Sequence, residues 1–164
     1  MINYLSYIYM MSFLLVNFPS VIVLDKLGLK YGLIIGISLT TLGLWLRCLI
    51  NIHFTFAMVG QTIMALAFPF TFNAPALLSA NWFGEKERIY ATSTGANASI
   101  LGVGLGYLIP IIFVSDNDRG STAEAHIFNL MLCLSIMSTL ILIPLIFTFQ
   151  AKPINPPAKS QEKT

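Results

Sequence analysis

The chain has 164 residues, of which 56% are hydrophobic and 10% are charged, and its formal net charge is +2. Because soluble domains carry about 25% charged residues, this composition excludes an ordinary soluble enzyme, and so small a net charge excludes a protein that binds nucleic acid by neutralising phosphates. The mean hydropathy of +0.78 instead indicates an integral membrane protein whose surroundings are the lipid bilayer.

Long segments without charge predict five membrane-spanning helices. A spanning helix needs about 20 apolar residues, and these segments do not alternate polar and apolar residues as barrel strands do. The predicted spans, in chain order, are residues 2–24, 31–50, 55–80, 89–114 and 127–149. The predicted fold class is therefore all-α: residues 1–150 form a polytopic five-helix transmembrane domain, and the proline-rich residues 151–164 form a cytosolic tail.

Lysine and arginine residues predict the orientation of these helices. Seven of them fall in the segments 25–30, 82–88 and 152–163, which share one side of the bilayer, whereas two fall on the other side. By the positive-inside rule, the seven face the cytosol or its organellar equivalent, so the N-terminus lies outside and the C-terminus inside. The first span is expected to remain in the mature protein, because no basic segment precedes it.

Two predicted inner loops carry the motifs of a known family. Residues 25–32 read DKLGLKYG and residues 82–88 read WFGEKER, and further on the spans carry GLWLR at 43–47 and NAP at 73–75. As a set, these motifs resemble the major facilitator superfamily and, within it, the feline leukaemia virus subgroup C receptor-related transporters of haem and choline. The resemblance implies that the five spans correspond to helices two to six of a twelve-helix fold, which makes the chain an N-terminal half without its first helix.

The resemblance also implies a gating loop that latches against the second half of a transporter, and its residues are Asp25, Lys26, Gly28 and Lys30. The residues themselves support a turn, because Gly28 permits a tight bend and Asp25 can accept hydrogen bonds from the N-terminus of a neighbouring helix. The competing interpretation is that the two lysines only anchor the topology.

Polar side chains within the spans are the candidates for a substrate pathway, because they are costly in lipid unless they face protein or water. The candidates, on the helices that line the cavity in the family, are Asn17, Gln61, Asn73, Asn97 and Ser99. The competing interpretation is hydrogen bonding between helices, worth about 0.6 kcal/mol for each bond. Because no charge lies in the middle of a span, the sequence argues against a carboxylate proton relay.

The small residues within the spans and the charged residues near their ends are expected to serve packing and anchoring rather than transport. Small residues on the second and fourth spans predict close packing, and the GxxxG pair Gly102 and Gly106 is assigned to packing inside the bundle rather than to dimer formation. Arg47, at the outer end of the second span, is expected to reach the lipid headgroups. The four charges at 85–88 are expected to form local ion pairs in a solvated loop.

No cofactor, metal site or enzyme activity is expected. His53 and His126 lack the cysteine and histidine spacing of a metal site, and Cys48 and Cys133 fall within spans, where they fill apolar space. The sequence also lacks a nucleophile with its base, a glycine-rich phosphate loop and a pair of catalytic carboxylates.

Two functions fit these features. The first is transport of a small organic solute, which the resemblance implies is choline-like, haem or a vitamin. Because five helices cannot enclose a cavity with two sides, this half-transporter is expected to need another membrane chain or to self-associate. The alternative is an accessory or structural subunit of a larger membrane complex without transport activity. A third interpretation is that the sequence is a fragment of a longer gene product.

Overall fold

The computed structural model of the chain describes residues 2–113 and 120–150, with side chains from residue 7 onward. Within these ranges it forms five long helices, each long and apolar enough to cross a membrane. They are α1 (Ile2–Leu27), α2 (Leu29–Arg47), α3 (Phe54–Trp82), α4 (Glu85–Phe113) and α5 (Ser121–Thr148). The predicted all-α bundle with five spans is confirmed. The predicted tail at 151–164 lies outside the described residues.

Each helix extends beyond its predicted span at one end or both, although α2 ends at Arg47 rather than at residue 50. Gly28 alone separates α1 from α2, and its φ of 83° is a conformation that residues with a side chain rarely adopt. The segment 85–88, predicted as a loop, instead forms the start of α4. Glu85 and Glu87 favour this helix start, because their carboxylates lie at the positive end of the helix dipole.

A 3-10 helix, Cys48–Asn51, connects α2 to α3 and is followed by a side-chain cap. His53 is the N-cap of α3, and its Nδ1 accepts a hydrogen bond from the backbone N–H of Thr55 at 3.2 Å. This bond satisfies one of the N–H groups that the first turn of a helix leaves unpaired. His53 therefore serves the fold at the start of α3.

α2 and α3 form the most extensive helix pair, because glycines on both helices allow the backbones to meet. A Cβ atom on Gly43 would lie 2.6 Å from the carbonyl oxygen of Gly60, and a Cβ atom on Gly60 would lie 2.5 Å from the carbonyl oxygen of Gly43. Gly36 similarly leaves room for Phe70 of α3. The predicted close packing of α2 through its small residues is confirmed.

α5 packs against α2 through hydrogen bonds between side chains. They join Thr41 to Ser138 at 2.6 Å, Trp45 to Thr139 at 3.1 Å, and Cys48 to Ser135 at 3.3 Å. Bonds of this kind stabilise membrane bundles by about 0.6 kcal/mol each. Both cysteines are free thiols, so the α2–α5 contact rests on packing and hydrogen bonds.

Arg47 ends α2 and lies half-buried against α3. Its Nη1 is 3.9 Å from Sδ of Met64, and its Cγ would be 2.8 Å from a Cβ atom on Gly60. The stem of Arg47 therefore covers Gly60 and joins α2 to α3, a role that was not predicted from the sequence.

α4 lies at the edge of the bundle, with contacts to α3 and α5 and with none of its residues buried. Gly95 meets α3, since a Cβ atom there would lie 2.8 Å from Cβ of Pro75. A Cβ atom on Gly102 or Gly106 would have no described atom within 4 Å. The prediction that this GxxxG pair packs inside the bundle is wrong for the described chain, because neither glycine faces a neighbouring helix.

Candidate functional site

The groove between α3 and α4 has a volume of about 580 Å³ and is open along one side. Its α3 wall is formed by Phe68, Thr71, Phe72 and Pro75, and Ser99 is the polar residue nearest the middle of its α4 wall. Apolar side chains make up most of the lining. The groove therefore suits a small ligand that presents an apolar or weakly hydrated surface.

Four aromatic rings from α1 and α3, here called the aromatic cluster, meet beside this groove. Phe68 contacts Tyr9 and Phe13, with ring centroids 5.9 and 5.7 Å apart, and Phe72 contacts Phe13 and Phe68 at 5.5 Å each. Edge-to-face and tilted arrangements at these distances are favourable. Because Phe68 and Phe72 also line the groove, the aromatic cluster forms one of its walls.

Phe68 separates two openings. Besides the groove, it lines a more open apolar recess of about 710 Å³ on the α1 side, with Met10 and Leu14. Phe68 and Phe72 remain 38% and 56% exposed although both are large and apolar. Parts of both rings are therefore free to contact a ligand.

The hydroxyl groups that line the groove are held by their own helices. Each donates a hydrogen bond to a backbone carbonyl three or four residues earlier: Thr71 to Phe68 at 3.0 Å, Thr92 to Arg88 at 2.9 Å, and Ser99 to Gly95 at 3.1 Å. The protons of Thr71 and Ser99 are thus committed, and their oxygen lone pairs are left to face a ligand. Oγ1 of Thr92 also lies 2.6 Å from Oγ of Ser79 on α3, so this hydroxyl is engaged between the helices.

Asn17 and Asn73, two of the predicted pathway residues, meet between α1 and α3. Nδ2 of Asn73 donates to Oδ1 of Asn17 at 2.9 Å and lies 3.4 Å from Oγ of Ser20. Both asparagines therefore take part in a hydrogen bond between helices, which is the interpretation that competes with a substrate pathway. Asn73 also lines a cleft of about 270 Å³ together with Asp25, and a role in a pathway stays a prediction for both.

The other predicted pathway residues are dispersed. Gln61 is half-buried in α3, and the 12 residues that separate it from Asn73 correspond to about 18 Å along the helix. Asn97 is exposed on α4 and does not belong to the groove lining, whereas Ser99 does. The structure thus places Ser99 at the groove and separates Gln61 and Asn97 from it, and their pathway roles stay predictions.

The predicted gating loop is mostly helical. Asp25 and Lys26 lie in the last turn of α1, Gly28 is the junction, and Lys30 lies in the first turn of α2. The N-cap of α2 is Gly28, which has no side chain to cap the helix, and the capping role expected of Asp25 stays a prediction. The short turn confirms the role of Gly28 in the bend, and the latch function of the four residues stays a prediction.

The sequence analysis missed the aromatic cluster. Its residues occur as two pairs spaced by four, at 9 and 13 on α1 and at 68 and 72 on α3. This spacing places both members of each pair on the same face of their helix. It could therefore have indicated that α1 and α3 each carry an aromatic face. The described residues contain no group of three or more histidine, cysteine, aspartate or glutamate side chains that could hold a metal ion.

Comparison with known proteins gives a consistent match. Residues 1–164 match the Major Facilitator Superfamily. The chain is 30% identical to the choline/ethanolamine transporter FLVCR1 of Felis catus, over 98% of this chain and 29% of that protein. It is 30% identical to the choline/ethanolamine transporter FLVCR2 of Homo sapiens, over 98% of this chain and 31% of that protein. It is 32% identical to the uncharacterized MFS-type transporter C09D4.1 of Caenorhabditis elegans, over 98% of this chain and 28% of that protein. The chain therefore spans less than a third of the length of these relatives.

Proposed function

Because this chain belongs to the Major Facilitator Superfamily, we propose that it forms part of a membrane transporter for small organic cations of the choline and ethanolamine type. The family and the names of the relatives support transport as the general activity. The observation that carries the choice of substrate is the aromatic cluster, whose rings Phe68 and Phe72 open onto the groove.

A quaternary ammonium group fits these rings for a physical reason. The face of an aromatic ring attracts a cation, by about 0.5–1 kcal/mol at exposed sites and about 2 kcal/mol or more where water is excluded. A trimethylammonium group also presents methyl groups, which pack against the apolar lining of the groove. No acidic side chain belongs to the described lining, so the rings supply the attraction for the positive charge.

A second helical unit is proposed to complete the cavity. The groove is open along one side, and α4 buries none of its residues against the rest of the described chain. Transporters of this architecture hold substrate between two units that move against each other. We propose that another membrane chain or a second copy covers the groove, and that the N-terminus of this chain lies outside the cytosol, as its charge distribution predicts.

Uptake of labelled choline by proteoliposomes containing the purified full chain tests this proposal. Saturable uptake above that of protein-free liposomes is expected, with competition by ethanolamine. If two copies form the transporter, the uptake per protein molecule will rise with the protein-to-lipid ratio, whereas independent units will give a constant value.

Two results would count against transport. If the chain shows neither choline uptake nor choline binding at any protein density, the proposed function is wrong. Migration of the same preparation with a larger membrane complex on a native gel would then favour the alternative, an accessory subunit without transport activity.

A further inference from the structure

We propose that the backbone carbonyl of Thr71, deprived of its helical hydrogen bond by Pro75, selects organic cations that carry a hydroxyl group. This inference rests on the proposed function, because it assigns a second contact to the same groove. The ligand class is an ammonium group with a hydroxyl two carbons away, as in choline and ethanolamine. The ammonium lies against Phe72 and Phe68, and the hydroxyl donates to the carbonyl oxygen.

The missing hydrogen bond follows from the sequence of α3. In an α-helix the carbonyl of residue 71 accepts from the N–H of residue 75. Pro75 lies inside α3 and has no N–H, so the carbonyl of Thr71 lacks this donor. Both Thr71 and Pro75 line the groove. In a bilayer such a carbonyl is strongly unfavourable unless a neighbouring side chain, water or a ligand donates to it, and the groove is the place where a ligand can do so.

The surroundings distinguish Pro75 from the other proline of α3. Pro69 removes the same bond from the carbonyl of Ala65, but Ala65 is 0% exposed and is packed within the bundle. Near Pro75, α4 approaches α3 at Gly95, and one turn further along α3 the hydroxyls of Thr92 and Ser79 lie 2.6 Å apart. The groove remains open beside the next turns of α4, so a ligand can reach the wall formed by Thr71.

The other polar groups of the groove are weaker acceptors. The hydroxyls of Thr71 and Ser99 already donate to backbone carbonyls, and a hydroxyl oxygen accepts less strongly than an amide carbonyl. Ile100, beside Ser99 on the opposite wall, offers no polar group. Thr71 and Phe72 both line the groove on its α3 wall, so the carbonyl and the ring belong to the same site.

The test compares two ligands on the full chain in lipid nanodiscs. One is choline, and the other is propyltrimethylammonium, in which a methyl group replaces the hydroxyl. Pro75→Ala restores an N–H at position 75, which can occupy the carbonyl of Thr71. The ratio of the two dissociation constants is expected to shift against choline by about three- to tenfold, the value of one neutral hydrogen bond. Because Pro75 lines the groove, the readout is the ratio of the two constants rather than either affinity alone.

Two matched variants separate the carbonyl from nearby hydroxyls. Thr71→Val and Ser99→Ala each remove a hydroxyl and keep Pro75, so the preference for choline should persist in both. Should Pro75→Ala fail to fold, Pro75→Ser restores the same N–H with a residue that bent membrane helices tolerate.

The outcomes are distinct. An unchanged ratio in the Pro75 variants, or a ratio that shifts with Thr71→Val or Ser99→Ala instead, overturns the assignment of the carbonyl and leaves the proposed function intact. Failure of the wild type to bind either cation contradicts the proposed function itself.

Discussion

Gly60→Ala is expected to lower the free energy of unfolding of the chain by about 1–3 kcal/mol, the range measured for overfilled cores. A Cβ atom at this position would lie 2.5 Å from the carbonyl oxygen of Gly43 and 2.8 Å from Cγ of Arg47. The carbonyl oxygen of Gly43 is a backbone atom and cannot rotate away as a side chain could. The helices α2 and α3 must therefore separate to make room for the added methyl group. This separation opens the most extensive helix contact in the described bundle and outweighs the gain of about 0.5–1 kcal/mol that alanine brings to a helix.

Unfolding in mixed micelles of increasing denaturing-detergent fraction, followed by circular dichroism, measures the effect. Gly102→Ala is the matched control, because it makes the same chemical change at a glycine with no described atom within 4 Å of the added Cβ. The control should be as stable as the wild type or slightly more stable. Equal stability of the two variants would show that the backbones of α2 and α3 do not meet at Gly60.

Phe72→Ala is expected to weaken choline binding by about five- to thirtyfold, which corresponds to the loss of one cation–ring contact of about 1–2 kcal/mol. Phe72 is 56% exposed and lies where the aromatic cluster borders the groove. Because no acidic side chain of the described lining can replace the lost attraction, the remaining rings must hold the ammonium group alone. Calorimetric titration of choline into the full chain in nanodiscs measures the dissociation constant.

Three comparisons make this prediction specific. Phe147→Ala removes the same ring from α5, where Phe147 is 80% exposed and does not line the groove, and it should leave choline affinity unchanged. Phe72→Trp should preserve or strengthen binding, because the indole ring is the best partner for a cation. A loss of affinity in Phe72→Trp as large as that in Phe72→Ala would indicate a role in packing rather than in cation binding.

The overall bundle could be predicted from the sequence because its signals are local. Segments without charge define the spans, and a charged or flexible residue near each end limits them. The ends of the helices were less predictable, since charges at 85–88 indicated a loop but form the first turn of α4. Carboxylates are compatible with both a loop and a helix N-terminus, so charge alone could not distinguish the two.

The site was harder to predict because it depends on which helix faces meet. Asn17 and Asn73 were correctly identified as polar residues within spans, yet their mutual hydrogen bond joins positions 56 residues apart. The aromatic cluster joins α1 and α3 in the same way. For Gly102 the local motif predicted packing, but the described chain offers no neighbour to it. A short motif shows which kind of contact a helix face can form, but it does not show which other helix that face contacts.

Photoaffinity labelling shows whether organic cations bind in the groove between α3 and α4. A light-activated diazirine analogue of choline is added to the full chain in nanodiscs, and the labelled residues are identified by mass spectrometry. Labels are expected within residues 68–76 of α3 and 92–103 of α4, the segments that line the groove, and excess choline is expected to suppress them. Labels concentrated on α2 or α5, or labels that excess choline leaves unchanged, would contradict binding in the groove.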